Sequence, residues 1–151
     1  MTTINPYLTF NGTCEQAFNF YKSIFGGEFP YVGKFKDMPE NPEFSFSEAE
    51  KEKIMHISLP IGGDTVLMGS DSSDAFGQAT IEGNNFCISI NTDSVDEATG
   101  IFNKLAEEGK VQMPLSETFW QSYYGQLTDK FGIHWMVNCA LEGHKNKQDG
   151  K

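Results

Sequence analysis

The strongest constraint in this sequence is that its second half repeats its first. Ala17, Tyr21 and Ile24 recur as Ala98, Phe102 and Leu105 at a constant offset of 81 residues. Phe10 and Ile90 stand 80 apart, which implies one extra residue in the second turn. A fixed offset shared by helical apolar positions marks a duplicated module rather than chance periodicity. In the first half, Tyr7-Leu8-Thr9-Phe10 alternates and meets Asn11-Gly12, a strand entering a turn. Thr13-x-x-Gln16 predicts a capping box, Ala17, Phe18, Tyr21, Ile24 and Phe25 an amphipathic helix, and Gly26-Gly27 its stop. Strands are predicted at 29–35, 54–60 and 65–69, the last two joined by the hairpin Ile61-Gly62-Gly63-Asp64. The second half repeats the order. It offers a strand at 86–90, a capping box at Ser94-x-x-Glu97, a helix carrying Ala98, Ile101, Phe102 and Leu105, and strands at 111–115, 123–128 and 133–138. Asp129-Lys130-Phe131-Gly132 joins the last two.

The predicted class is therefore α+β, two tandem β-α-β-β-β modules. Each half is too small to bury a stable core alone, so one domain is expected over 1–141. Module one falls at 4–70, a linker at 71–83, module two at 84–141, and a polar, frayed tail at 142–151, with His144 in it. The stretch 36–53, rich in charge and holding Pro39 and Pro42, reads as a loop excursion.

Charge and cysteines narrow the function. The 21 acidic against 11 basic residues give −10, which opposes phosphate-backbone binding, so no nucleic-acid partner is expected. The acidic residues are scattered; the densest run, from Glu48 to Glu52 around Lys51, reads as solvated surface. Cys14, Cys87 and Cys139 are odd in number and lack CxxC spacing, which fits inert buried thiols in a reducing compartment, the cytoplasm. No basic-then-apolar leader and no bilayer-length apolar run is present, so no membrane attachment is expected. Thirteen Phe, five Tyr and two Trp supply rings for a core and for a ligand pocket.

Several stretches also carry a family resemblance: Asn5-Pro6-Tyr7-Leu8-Thr9-Phe10-Asn11-Gly12, the helix around Phe20-Tyr21, Thr118-Phe119-Trp120, Thr128-Asp129-Lys130-Phe131-Gly132 and Trp135-Met136-Val137-Asn138. Together with the duplicated module they resemble the PhnB-like subfamily of the vicinal-oxygen-chelate (glyoxalase/bleomycin-resistance/dioxygenase) superfamily, over residues 4 to 139. Proteins of that subfamily are often named after a 3-demethylubiquinone-9 3-methyltransferase domain. The resemblance implies two curved sheets that combine into a ligand-holding cup, commonly completed in a homodimer. In metalloenzymes of the superfamily four side chains, usually His, Glu or Gln, converge from the first and last strand of each module. On this sequence those positions fall on Asn5, Met68, Asn85 and Met136. Amides are weak neutral ligands and thioethers favour Cu(I), so neither a metal nor another cofactor is expected. No Gly-rich strand-to-helix loop suited to S-adenosylmethionine is present, so methyltransferase chemistry is not expected either.

Alternation places Tyr7 and Thr9 on the face of Asn5, Cys87 and Ser89 on that of Asn85, and His134 on that of Met136 and Asn138. These residues are the expected lining of the pocket, with methionine as adaptable floor or as plain core filler. His134 and Tyr7 are the acid/base candidates. A lone strand histidine is more often a hydrogen-bonded structural residue, and His56 cannot be phased. Cys87 has no visible activating base and reads as inert. Phe119 and Trp120, close to Tyr123 and Tyr124, suit a pocket wall or a dimer interface equally. The expected function is metal-free binding of a small organic molecule. The alternatives are a metal-independent isomerase, lyase or transferase, and a drug-sequestering dimer, which the negative charge would help for a cationic ligand.

Overall fold

The computed structural model describes residues 2–39, 41–43, 45–77 and 79–141; the expected tail, with His144, lies outside them. The chain divides into two compact units, Met1–Ile81 and Glu82–Lys151. The first holds β1 (Tyr7–Phe10), α1 (Cys14–Phe25), β2 (Tyr31–Lys34), a one-turn helix α2 (Glu48–Lys51), β3 (Ile54–Gly62) and β4 (Thr65–Asp71). The second holds β5 (Ile88–Thr92), α3 (Val95–Leu105), β6 (Lys110–Glu117), β7 (Ser122–Thr128) and β8 (His134–Ala140). Each module builds one four-stranded sheet with the same order, β1-β4-β3-β2 and β5-β8-β7-β6. The first pair is parallel in each, and the others are antiparallel. The β-α-β-β-β expectation holds in both halves. Among the described residues no helix is long and apolar enough to cross a membrane.

In each module the helix covers one face of its sheet. Cys14, Ala17, Phe18 and Tyr21 of α1 are buried together with Leu8, Phe10, Ile57, Leu59 and Leu67 of the strands. In the second module Ala98, Phe102 and Leu105 of α3 are buried with Leu127, Trp135, Val137 and Cys139. Each fully buried large apolar side chain contributes roughly 1.5–3 kcal/mol of transfer free energy. A glycine lets one helix ring settle on the sheet in each module. A Cβ at Gly69 would meet Phe18 at 2.7 Å, and one at Gly125 would meet Phe102 at 2.8 Å.

The two helix starts are capped differently. Ser94 Oγ accepts the Glu97 N–H at 3.1 Å, as expected. Thr13 makes no side-chain cap, contrary to expectation. A carboxylate from the far end of the module takes its place: Asp71 Oδ1 accepts the N–H groups of Gly12 and Cys14 at 2.9 and 3.0 Å, and its Oδ2 accepts that of Ile54 at 2.9 Å. An anion at a helix N-terminus outcompetes a hydroxyl because it is the stronger acceptor and meets the positive end of the dipole. Asp129 does comparable work in the β7–β8 hairpin, where it is buried and accepts the N–H groups of Phe131, Ile133 and the Trp135 indole.

Strand register corrects one step of the repeat. The burial patterns of β4 and β8 superpose Leu67, Gly69 and Asp71 on Trp135, Val137 and Cys139. Parallel pairing then equates Tyr7 with Ser89 and Phe10 with Thr92. The second turn is one residue shorter than the first, not one longer, so the counterpart of Asn5 is Cys87 rather than Asn85. The hydrophobic pattern located strand and helix but left the insertion point free within the turn. The expected strand 86–90 accordingly begins at Ile88, with Asn85 and Phe86 ahead of it. The excursion at 36–53 is partly ordered by α2, by a 3-10 turn at Phe35–Asp37, and by Glu52, which takes both Lys34 and Lys36 at 3.1 Å. That pairing lowers the pKa of Glu52 and raises that of Lys34, each through the hydrogen bond to its partner first.

Candidate functional site

With one sheet face closed by the helix, the other is free to carry chemistry. In the first module it carries Tyr7 and Thr9 of β1, Met68 and Ser70 of β4, His56 and Ser58 of β3, and Tyr31 of β2. Tyr7 pairs with Met68, Met68 with Ser58, and Ser58 with Tyr31, so one register row crosses the whole sheet. The structure phases His56, which alternation could not because the β2–β3 register shifts beside it. Its Nδ1 lies 3.3 Å from the Tyr7 hydroxyl, and the Tyr31 ring lies 5.7 Å from its own. Asn5 is turned to the backbone instead, its Oδ1 accepting the Val66 N–H at 2.8 Å. Beside this face a cavity of about 300 Å³ is lined by Thr9, Ser70, Met38, Met55 and the rings of Phe35 and Phe76.

The second module holds a larger cavity, about 570 Å³, whose lining includes Asn85, Phe86, Cys87, Lys110, Gln126 and His134. His134 does face the open side, between buried Trp135 and the strand start, but both its nitrogens are engaged. Its Nε2 lies 2.8 Å from the Gly83 carbonyl and its Nδ1 2.8 Å from the Thr128 hydroxyl, which in turn accepts from Gln112 at 2.9 Å. A carbonyl only accepts, so the ring carries a proton on Nε2, while Nδ1 pairs with the Thr128 hydroxyl. The imidazole ties the start of the module to β8. Farther along the same face the Tyr124 hydroxyl donates to Met136 Sδ at 3.7 Å and accepts from Gln126 at 2.5 Å, and Asn138 donates to Asn91 at 3.2 Å. Ser89 stands opposite Met136 in register and is exposed.

Cys87 is exposed, which overturns the expectation of a buried thiol; Cys14 and Cys139 are buried as expected. The reason is the register again, since Cys87 falls on the open face and Ile88 on the helix side. Burial, and then the nearby carboxylates of Asp71 and Glu15, push the Cys14 thiol well above the ordinary range. Phe119 and Trp120 stand in the β6–β7 hairpin, 93% and 45% exposed, with perpendicular rings 4.8 Å apart and Trp120 6.0 Å from Tyr124. Neither is among the residues lining the cavity around His134. Thus the structure gathers Asn85, Cys87 and His134 at one cavity, puts Tyr7, Thr9 and Met68 on the open face of the other module, and leaves the hairpin aromatics outside both.

The metal positions of the resemblance can be tested on donor chemistry. Register gives an amide at Asn5, thioethers at Met68 and Met136, and a thiol at Cys87. The Asn5 oxygen and the Met136 sulfur each already accept a hydrogen bond. Among the described residues no group of three or more His, Cys, Asp or Glu side chains could hold a metal ion. This set does not fit a hard or borderline dication. Sequence reasoning left His56 unphased and missed Tyr31, Lys110, Gln112 and Gln126. The two β7 positions Tyr124 and Gln126 were readable from their alternation with Gly125 and Leu127, while Lys110 and Gln112 lie on a strand whose bulges break the period.

A sequence profile of the Glyoxalase/Bleomycin resistance protein/Dioxygenase superfamily matches residues 3–137. Protein YjdN of Escherichia coli (strain K12) is 32% identical over 145 residues, covering 92% of this chain and 96% of that one. The crystal structure of protein PA1353 from Pseudomonas aeruginosa is similar at a TM-score of 0.82 and 42% identity, over 94% of this chain and 100% of that one. A PhnB protein from Bacillus cereus is similar at a TM-score of 0.72 and 25% identity, over 92% and 100% of the two chains.

Proposed function

Because this chain belongs to the Glyoxalase/Bleomycin resistance protein/Dioxygenase superfamily while its residues at the metal positions are amide, thioether and thiol, we propose that it binds a small organic molecule without a metal ion. The observation that carries this reading is the 570 Å³ cavity of the second module. Its size is that of a small-ligand site, and its lining, mostly polar side chains with Phe86, Leu127 and Trp135 among them, offers many groups able to orient a ligand. The Lys110 ammonium makes no ion pair among the described residues, and the Gln112 and Gln126 amides donate to the neighbouring Thr128 and Tyr124 hydroxyls. The Gln126 donor is thereby fixed, so its amide oxygen is oriented as a ready acceptor.

A homodimer acting in the cytoplasm belongs to the same proposal. It is supported by the exposed Phe119 and Trp120 and by three free thiols. The experiment is an NMR-monitored screen of a small-molecule library against EDTA-treated protein. Hits that shift Cys87, Lys110 and Gln126 resonances support the reading; a library active only after a transition metal is added refutes it.

One observation favours the enzymatic alternative. The Tyr7 hydroxyl beside His56 Nδ1 is a phenol–imidazole pair on an accessible face, the arrangement a proton-transfer step needs. His134, with both nitrogens tied, is the poorer acid/base candidate of the two proposed from sequence. In that alternative Tyr7 and His56 would move the proton.

A further inference from the structure

Tyr7, His56 and Tyr31 form a continuous row of three rings on the open face of the first module. The row is built from both edges of the sheet. β4 lies between β1 and β3, so Tyr7 must reach inward across a whole strand to bring its ring 5.6 Å from that of His56. From the opposite edge, Tyr31 lies down over Gly33. A Cβ at Gly33 would stand 2.6 Å from the Tyr31 hydroxyl and 2.9 Å from a ring carbon. Gly33 is the register partner of His56, which is why a ring folded over it arrives 5.7 Å from the imidazole. The neighbouring rings are tilted by only 34° and 48°. Both tyrosines remain 47% and 48% exposed, so the two ends of the row present ring surface to solvent.

We propose that this row is a binding platform for a planar, electron-poor heteroaromatic ring that carries a hydrogen-bond acceptor on its edge. The inference rests on the small-molecule reading and names a ligand class for a second surface. Three chemical features select that class. Phenol faces carry negative quadrupole density and stack best on electron-poor rings. A neutral imidazole that accepts the Tyr7 proton at Nδ1 carries its own N–H at Nε2, and that donor has no hydrogen-bond partner among the described residues. The net charge of −10 disfavours anionic aromatics such as nucleotides.

The test is an NMR titration of the full chain with 1,5-naphthyridine, with naphthalene as the carbocyclic isostere. The platform predicts ring-current shifts at Tyr7, Tyr31 and His56, and weaker binding of naphthalene by at least about threefold. Gly33→Ala keeps every ring but drives Tyr31 off the sheet. It should weaken 1,5-naphthyridine by about tenfold, the usual worth of one stacking partner, with the melting temperature little changed. Tyr31→Leu should do the same and serves if Gly33→Ala proves unstable. Full affinity in both variants overturns the proposal, as do probe shifts confined to Cys87, Lys110 and Gln126, which would leave the small-molecule reading standing. Concentration-dependent shifts of the three rings without probe also overturn it, because a second copy of the chain would then be the occupant. Naphthyridine bound at the platform of a protein that binds nothing in the other module's cavity would retain the platform and remove the cavity reading.

Discussion

Asp71 caps the helix that begins at Cys14, its Oδ1 accepting the Cys14 N–H at 3.0 Å from 57 residues away in the chain. One buried carboxylate thereby fixes the end of β4, the turn at Gly12 and the start of β3 together. Asp71→Ala should cost about 3 kcal/mol in urea unfolding, since it strands buried backbone donors, whereas Thr13→Ala should stay within about 0.5 kcal/mol. Equal effects of the two would mean that the hydroxyl caps the helix after all.

That relationship also shows where the sequence was and was not readable. Among the described residues the period-2 and period-3.6 stripes located the strands and both long helices, because burial of one face imposes those periods on all but β6, which has no buried residue. Asp71 carries no local signal, since its partners lie far along the chain and Thr13-x-x-Gln16 offers a plausible local rival. The repeat partner of Asn5 was misplaced by two residues for a related reason. An insertion inside a turn leaves the stripes on either side intact. His56 escaped phasing because a register shift interrupts its strand pairing, and Tyr31 because its role depends on the missing side chain at Gly33.

The three thiols should separate cleanly. In native protein at neutral pH, Cys87 alone is exposed and should react with Ellman's reagent, at least about a hundredfold faster than Cys14 or Cys139. The raised pKa of Cys14 keeps it protonated, adding to its burial. Cys87→Ser should abolish the fast phase; a fast phase that survives would place another thiol at the surface.

His134 should be a fixed Nε2–H tautomer at pH 7.5, visible in long-range proton–nitrogen spectra, because Nε2 faces the Gly83 carbonyl. Replacing it with Gln should destabilise the protein by about 1–2 kcal/mol through the two lost hydrogen bonds. An Nδ1–H tautomer, or no loss of stability, would contradict the tether and return His134 to the acid/base candidates.

The proposed dimer predicts a species of twice the chain mass by light scattering at micromolar concentration. The double variant Phe119→Ser, Trp120→Ser should shift it toward monomer without unfolding, since Phe119 is nearly fully exposed within one chain. A wild-type monomer would assign the hairpin rings another role.

Organic-ligand binding without a metal is tested most directly by native mass spectrometry of the protein purified without chelator, with elemental analysis of the same sample. The expected result is a non-covalent organic adduct, lost on denaturation, in a sample holding far less than one equivalent of Zn, Ni, Mn or Fe. A stoichiometric transition metal lost on mutating Asn5, Met68, Cys87 or Met136, with ligand retention disappearing alongside it, would contradict it.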